Sequence, residues 1–407
     1  MGLTTYLIFL TLGIWLANKF LQAIRSPLRS VPGHFLARFT RLWYFKEVWT
    51  GTFPWTNIDL HQKHGPVVRI APNEYSIDDP EAMKILYGHG TAFIKGPWYS
   101  ASGVPHQANI FSDSNPKSHA VERRKFASLY SMSTLVTMEQ AVDHCVDFLV
   151  DRLKEFSRSG ATFDLQWWLQ CFAFDTIGEI SVSKRFGFLD AGNDALNIID
   201  GLDNFLLYSA RVGVFPETHP VIFKIVNMLG ANGFQQVAKF ATEQVQSYKK
   251  NVEGETFLGK ALRIHQEQPQ KLSETDILSI CMMNVFAGSD TSSISLTSIM
   301  WCLLKNQHAL AKVFGQDAHK FRPERWLVSK EAQQALDRYW LPFGHGSRTC
   351  IGKNIALMEI SKVIPHLVRH FDLSLVDPNQ EPTTHNVWFV KQQNIRVTAK
   401  VRDTTNL

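Results

Sequence analysis

A chain of 407 residues with 45% hydrophobic side chains is long enough for one large domain or two average ones and apolar enough for a substantial core. A net charge of +5 is too mild for nucleic-acid binding and suits a basic docking face or an anionic membrane surface. Five scattered cysteines, odd in number and without a C-x-x-C pair, exclude a disulfide framework and a zinc site and favour a reducing compartment.

The N-terminal stretch "LTTYLIFLTLGIWLAN" (Leu3 to Asn18) carries no charge, and its apolar character continues past Lys19 to Ile24. At ~1.5 Å per residue the longer stretch predicts a transmembrane helix, with Lys19 snorkelling. Lys19, Arg25 and Arg29 follow the run and no charged side chain precedes it, so the body is expected on the cytosolic side. A cleaved signal peptide is the alternative, and it lacks both a basic n-region and an obvious small-residue cleavage site. "RSPLRSVPG" (25–33) then predicts a stiff hinge, because two prolines stop the helix.

"HGPVVRIAPNEYSI" (64–77) reads as a hairpin turning at Pro72-Asn73. Helical patterns follow over about 118–130, 137–157, 165–182, 193–211, 234–252, 275–311 and 352–370. "FDLSLVD" and "IRVTAKV" near the end read as short strands, and no internal repeat is present. The chain is predicted to be mainly α with a minor β-sheet.

Four stretches carry candidate chemistry. "LPFGHGSRTCIGKN" (341–354) sets Cys350 among Gly344, Gly346 and Gly352, just before a predicted helix. The glycines permit tight turns and close approach, a helix N-terminus favours thiolate, and loop N–H groups can bond the sulfur. Phe343 is placed to shield it. Taken alone, Cys350 is more simply a buried structural cysteine. "NVFAGSDTSS" (284–293) interrupts the longest helical pattern with poor helix formers. Ala287 and Gly288 would let a planar cofactor approach, Thr291 would hold a water, and Asp290 would relay protons to it. A solvated polar patch is the alternative, and flanking Val285, Phe286 and Ile294 argue for burial instead. In "KSHAVERRKF" (117–126), His119 and Arg123 share a helix face and can grip a carboxylate; an isolated cluster of this kind is more often a solvated basic helix. "FRPERW" (321–326) offers Arg325 as a structural tie.

Together these residues resemble the cytochrome P-450 family of haem-thiolate monooxygenases. "FGHGSRTCIG" matches the family's F-x-x-G-x-R-x-C-x-G loop at every fixed position, "AGSDTS" its central-helix motif and "FRPERW" its meander. The hairpin and the N-terminal helix are similar to the microsomal fungal branch, including its pisatin-demethylase-like and benzoate-hydroxylase-like members. The resemblance implies the cytochrome P-450 fold and haem b with Cys350 as axial thiolate. It also implies Arg348, His119 and Arg123 on the propionates, and Thr291 with Asp290 assisting oxygen activation. The expected reaction inserts one oxygen atom of O2 into an apolar small molecule of fungal secondary metabolism. The expected partner is a membrane-bound NADPH-cytochrome P-450 reductase. The location implied is the endoplasmic reticulum membrane, single-pass, with residues 1–24 as anchor, 25–33 as hinge and 34–407 as catalytic domain. Segments 98–112, 200–215 and 280–292 would line the pocket.

The chain also departs from the family. Thr291 and Cys350 lie much closer in sequence than the family pattern places them. "IMWCLLKNQHALAK" (299–312) and "VFGQDAHKFRPERW" (313–326) meet where the family carries a Glu-x-x-Arg helix and pocket strands. The chain's one Glu-x-x-Arg, Glu155 to Arg158, lies far upstream on another predicted helix. A segment missing near 312/313 is therefore expected, leaving a truncated and catalytically impaired relative as the alternative function.

Overall fold

A computed structural model describes residues 2–230, 233–250, 255–305, 341–386 and 388–402. The predicted join at 312/313 and the "FRPERW" stretch lie outside the described residues.

The N-terminal stretch forms one helix, α1 (Leu3–Arg25), whose end stacks through Phe20 on Phe39, with ring centroids 6.1 Å apart. The transmembrane expectation is not supported: among the described residues no helix is long and apolar enough to cross a membrane. Thr11, Asn18 and Gln22 break the apolar run. The segment after α1 is also less free than a hinge. Pro32 accepts the Arg69 N–H at 2.7 Å, and Gly33 bridges Arg69 in parallel. A side chain at Gly33 would place its Cβ 2.2 Å from the Arg69 carbonyl oxygen. The buried Arg69 guanidinium holds the carbonyls of Leu28 and Pro72, both at 2.5 Å.

Two helices, α2 (Leu42–Thr50) and α3 (Phe53–His64), lead into the predicted hairpin, β1 (Val67–Ala71) and β2 (Glu74–Ile77). Then come α4 (Pro80–Tyr87), α5 (Pro116–Phe126), the single turn α6 (Met132–Leu135) and α7 (Glu139–Ser159). Asn115 caps α5 by accepting the Lys117 N–H at 2.9 Å. On α7, Val142, Cys145, Val146, Leu149, Val150 and Leu153 are buried, a single stripe at helical spacing.

Strand β3 (Phe163–Asp164) opens α8 (Leu165–Val182), which is buried on nearly every side, its polar Gln166, Gln170, Asp175 and Thr176 included. The chain continues through the short α9 (Phe188–Ala191), α10 (Ile198–Gly213), α11 (His219–Met228), α12 (Gly233–Lys250) and α13 (Phe257–Glu267). The longest helix among the described residues, α14 (Glu274–Lys305), packs chiefly on α8 and also on α12, α13 and α15 (Lys353–His370). Strand β7 (Arg396–Val401) lies antiparallel between β3 and β4 (Phe371–Leu375). A separate hairpin joins β5 (Thr383–Asn386) to β6 (Val390–Gln393). This is the mainly helical architecture with minor sheet that the sequence predicts. The core runs along α7, α8 and α14 and closes against α15.

Candidate active site

The cysteine loop is built by glycines and main-chain bonds. Gly344 and Gly346 adopt φ of +68° and +65°, the left-handed region. A Cβ at Gly346 would fall 1.8 Å from the Tyr87 carbonyl oxygen, so the loop packs on the end of α4 only because that residue is glycine. Cys350 N–H donates to the Phe343 carbonyl at 2.8 Å, and Gly344 N–H to that of Leu341 at 2.9 Å. These bonds present Cys350 immediately before α15, with its side chain open to solvent. The protein mass around it still raises the thiol's proton affinity through desolvation; the N–H groups of Gly352 and Lys353 and the charge of Arg123 pull it down.

Cations converge beside the loop. His119 and Arg123 share a face of α5 as predicted, and Arg348 joins them, donating to the Asp113 carbonyl at 2.5 Å. Arg348 Nη2 is buried without a hydrogen-bond partner. Lys95 completes the group, with Nζ 4.1 Å from the Tyr99 ring centroid and 3.6 Å from that of Phe111. Burial first, and the charge of Arg348 second, together lower the Lys95 ammonium to about 8. Burial, then Arg348 and Arg123, push His119 down to about 4. His119 is therefore a neutral donor at pH 7, unlike the two arginines. Asp113 is the carboxylate opposing this group, and it already accepts from Ser118 at 2.5 Å and from the Asn115 N–H at 2.8 Å. The cluster carries an excess of positive charge and an unused donor.

Helix α14 supplies the other wall. Ala287 is exposed and Thr291 half-buried. Thr291 Oγ1 donates to the Ala287 carbonyl at 2.7 Å, so its hydroxyl satisfies the backbone rather than being diverted from it. Gly288 departs from expectation. Its missing Cβ would meet Ile177 Cδ1 at 2.7 Å, so its smallness serves α8 packing and Ala287 is the residue on the open side. Asp290 also turns away. It is fully buried, accepts from Gln170 Nε2 at 2.8 Å, and lies 2.8 Å from Lys391 Nζ, which also pairs with Asp203. Burial raises its carboxyl and Lys391 opposes the rise. A proton relay by Asp290 is thus not set up in this geometry, because successive helical residues point ~100° apart and Asp290 faces the core when Thr291 faces the opening.

A strut fixes the two walls. Tyr130 OH bonds Asn284 on α14, and the Tyr130 carbonyl accepts from Asn354 Nδ2 at 3.0 Å at the start of α15. Above them the predicted pocket segments do meet. Ser209 Oγ on α10 donates to the Ala101 carbonyl at 3.0 Å, and Phe205 contacts Phe286 at 5.2 Å between centroids. The β5–β6 connection adds Trp388, 4.5 Å from Trp98 and 6.1 Å from Phe111. Sequence reasoning missed Lys95, Asp113, Tyr130, Asn354, Trp388 and Lys391; none sits in a motif that names its role.

Comparison with known proteins bears on this arrangement. The sequence pattern of the family described as Cytochrome P450 matches residues 36–315 and 311–399. A pisatin demethylase of Fusarium vanettenii is 29% identical over 456 aligned positions, covering 90% of this chain and 89% of that protein. Two cytochrome P450 monooxygenases of Emericella nidulans, cicH and pkfB, are 25% and 28% identical and cover nearly the full length of both partners. The 456-position alignment is longer than the 407-residue chain, so gap positions fall on this side. The family match comes in two stretches that meet at 311–315.

Proposed function

The chain belongs to the cytochrome P450 family of monooxygenases, whose haem iron is held by a cysteine thiolate, and from that premise we propose that it oxidises a sizeable apolar small molecule of fungal secondary metabolism, with Cys350 as the iron ligand. The observation that carries this reading is the meeting of an open cysteine at a helix start with a surplus of cations and an orphaned arginine donor. A haem fits that donor set: one thiolate for iron and two anionic propionates for Arg348, Arg123, His119 and Lys95. When bound, the haem supplies O2 activation and the transfer of one oxygen atom.

The chain's residues do the rest. Burial raises the Cys350 thiol, and the N–H groups of Gly352 and Lys353 with the charge of Arg123 work against that rise and toward thiolate. Thr291, at the open face of α14, holds a proton on Oγ1 that it shares with the Ala287 carbonyl and keeps its lone pairs for a water. Asp290, tied to Lys391 and Gln170, positions α14 against the β5–β6 hairpin. Aromatic side chains of Trp98, Tyr99, Phe111 and Trp388 exclude water from the wall they share and favour a flat apolar substrate.

O2 and a reductase come with the family. We assign NADPH-cytochrome P450 reductase to the face of α5 that exposes Lys117 and Arg124. Membrane association, at the endoplasmic reticulum, is supported by exposed Phe9 and Ile14 on α1 and exposed Met228 and Leu229 at the end of α11.

A second reading concerns competence. The two-part family match and the gapped alignment support a chain lacking an internal segment near 312/313, with haem binding and turnover impaired. One experiment separates the readings. The full chain is expressed, its haem content measured, and the reduced protein exposed to CO. One haem per chain, a red-shifted thiolate–CO Soret band and NADPH-dependent turnover establish the monooxygenase; no bound haem establishes the impaired relative. Genomic sequence around the codon for Lys312 then tells whether an in-frame Glu-x-x-Arg segment was omitted.

A further inference from the structure

A second cavity, of 1060 Å³, opens between α2, α10, α11 and α12 and shares no lining residue with the cysteine loop or with α14. Leu42, Phe45, Trp49, Leu207, Phe215 and Val226 give it an apolar wall. Its size is that of a site for a whole small ligand rather than a packing defect.

The polar groups on this wall are mostly committed. His219 Nε2 stands 3.1 Å from the Gly103 carbonyl and therefore carries the ring proton, leaving Nδ1 to accept the Tyr208 hydroxyl at 2.7 Å. Thr218 Oγ1 donates to the Phe215 carbonyl and Gln236 to that of Asn197, both at 2.7 Å. Lys239 at the rim lies 4.0 Å from Glu243. Arg41, which borders the same region, is paired with Glu217 at 2.8 Å.

Arg211 is different. Its guanidinium lies over the Trp49 ring, 3.8 Å from the centroid, and Nη2 donates to the Trp49 carbonyl at 3.3 Å. Nε is buried without a partner, and among the described residues no carboxylate pairs with Arg211. Burial weakens its hold on its proton with nothing opposing it. An apolar trough with one unneutralised, always-charged guanidinium on its wall calls for a ligand with a long apolar body and one negative charge.

We propose that this cavity binds a single-chain anionic amphiphile of the long-chain carboxylate class, its carboxylate at Arg211 and its chain along α10. One guanidinium matches one carboxylate charge, which favours this class over a dianionic phosphate monoester. The cavity takes Leu207, Tyr208 and Arg211 of α10, whereas Phe205 and Ser209 of the same helix meet the candidate active site.

Trp49 makes the proposal directly readable. The probe is dibromostearate, below its micelle concentration, added to the full chain; bromine quenches indole only on contact. Saturable quenching is expected. Trp49→Phe should remove most of the saturable component. Arg211→Gln should weaken binding at least tenfold, and Arg211→Lys less than threefold, with circular dichroism confirming that each variant is folded. The brominated alcohol of equal length should bind at least tenfold more weakly than the acid. Quenching that survives Trp49→Phe, or equal affinity after Arg211→Gln, overturns the proposal. So does a Soret shift with no Trp49 quenching, which places the fatty acid at the haem. Quenching seen only with vesicles of brominated phosphatidylglycerol also overturns it and marks a membrane-docking face.

Discussion

Glu359 makes this fold sensitive to pH although the residue itself has no solvent exposure. It lies on α15, one helix turn and more beyond the cysteine loop, and neither carboxyl oxygen has a hydrogen bond of ordinary geometry. Burial raises its carboxyl from 4.5 to about 8, and the Ser292 hydroxyl on α14 pulls only weakly the other way. The folded state therefore keeps a proton that the unfolded chain gives up above pH 4.5. Stability is full below that pH and falls as pH rises to about 8. At ~1.4 kcal/mol for each tenfold difference in proton affinity, the displacement amounts to ~5 kcal/mol, an upper figure since water entry and relaxation reduce it. Glu359→Gln removes the titration while keeping the shape. Urea unfolding of both proteins from pH 5 to 9 measures it. Relative to the variant, the native chain should lose stability steadily up to about pH 8, since the other titrating groups act on both proteins alike. A constant packing offset does not affect the comparison, because the slope carries the information. Parallel stability–pH curves for the two proteins would refute the reasoning.

Other outcomes follow from the site. Gly346→Ala should cost at least ~1–2 kcal/mol from its left-handed backbone, with a further penalty from the contact with Tyr87 O; thermal unfolding and haem content report it. Cys350→Ser should abolish the red-shifted thiolate–CO band in the reduced protein without lowering the thermal midpoint of the haem-free chain by more than a few degrees. Lys391→Met leaves Asp290 buried without its cation and should destabilise by ~3–5 kcal/mol in denaturant titration. Adding Asp290→Asn to that variant should recover much of the loss. Relative to His119→Gln, the haem-free chain should lose stability as pH falls from 6.5 toward 4, since the folded state resists a proton that the unfolded chain accepts.

Much of this was legible in the sequence because it rests on local pattern. The glycines around Cys350 declare the loop, and the helical pattern read over about 165–182 coincides with α8. The turn at Pro72-Asn73 gives the β1–β2 hairpin. What was not legible depends on which way a helix is rotated and what it meets. Ala287, Gly288, Asp290 and Thr291 are adjacent in sequence yet point to different neighbours, and only α8 and Lys391 decide which one faces the opening. Strands β5 and β6, "TTHN" and "VKQQ", have no apolar alternation to announce them. Tyr130 and Asn354 act through contacts with distant segments, and distance along the chain hides them.

The junction at Arg69 has a consequence for how this chain can change over time. Its guanidinium and main chain grasp the backbone of residues 28, 32, 33 and 72. Attachments to carbonyl oxygens do not depend on which side chain stands at Leu28, so that position is free to drift while the junction persists. Arg69 has no such freedom, since no other side chain offers several fixed donors in one plane. The tolerance is one-sided: the held segment can be rewritten, and the residue that holds it cannot.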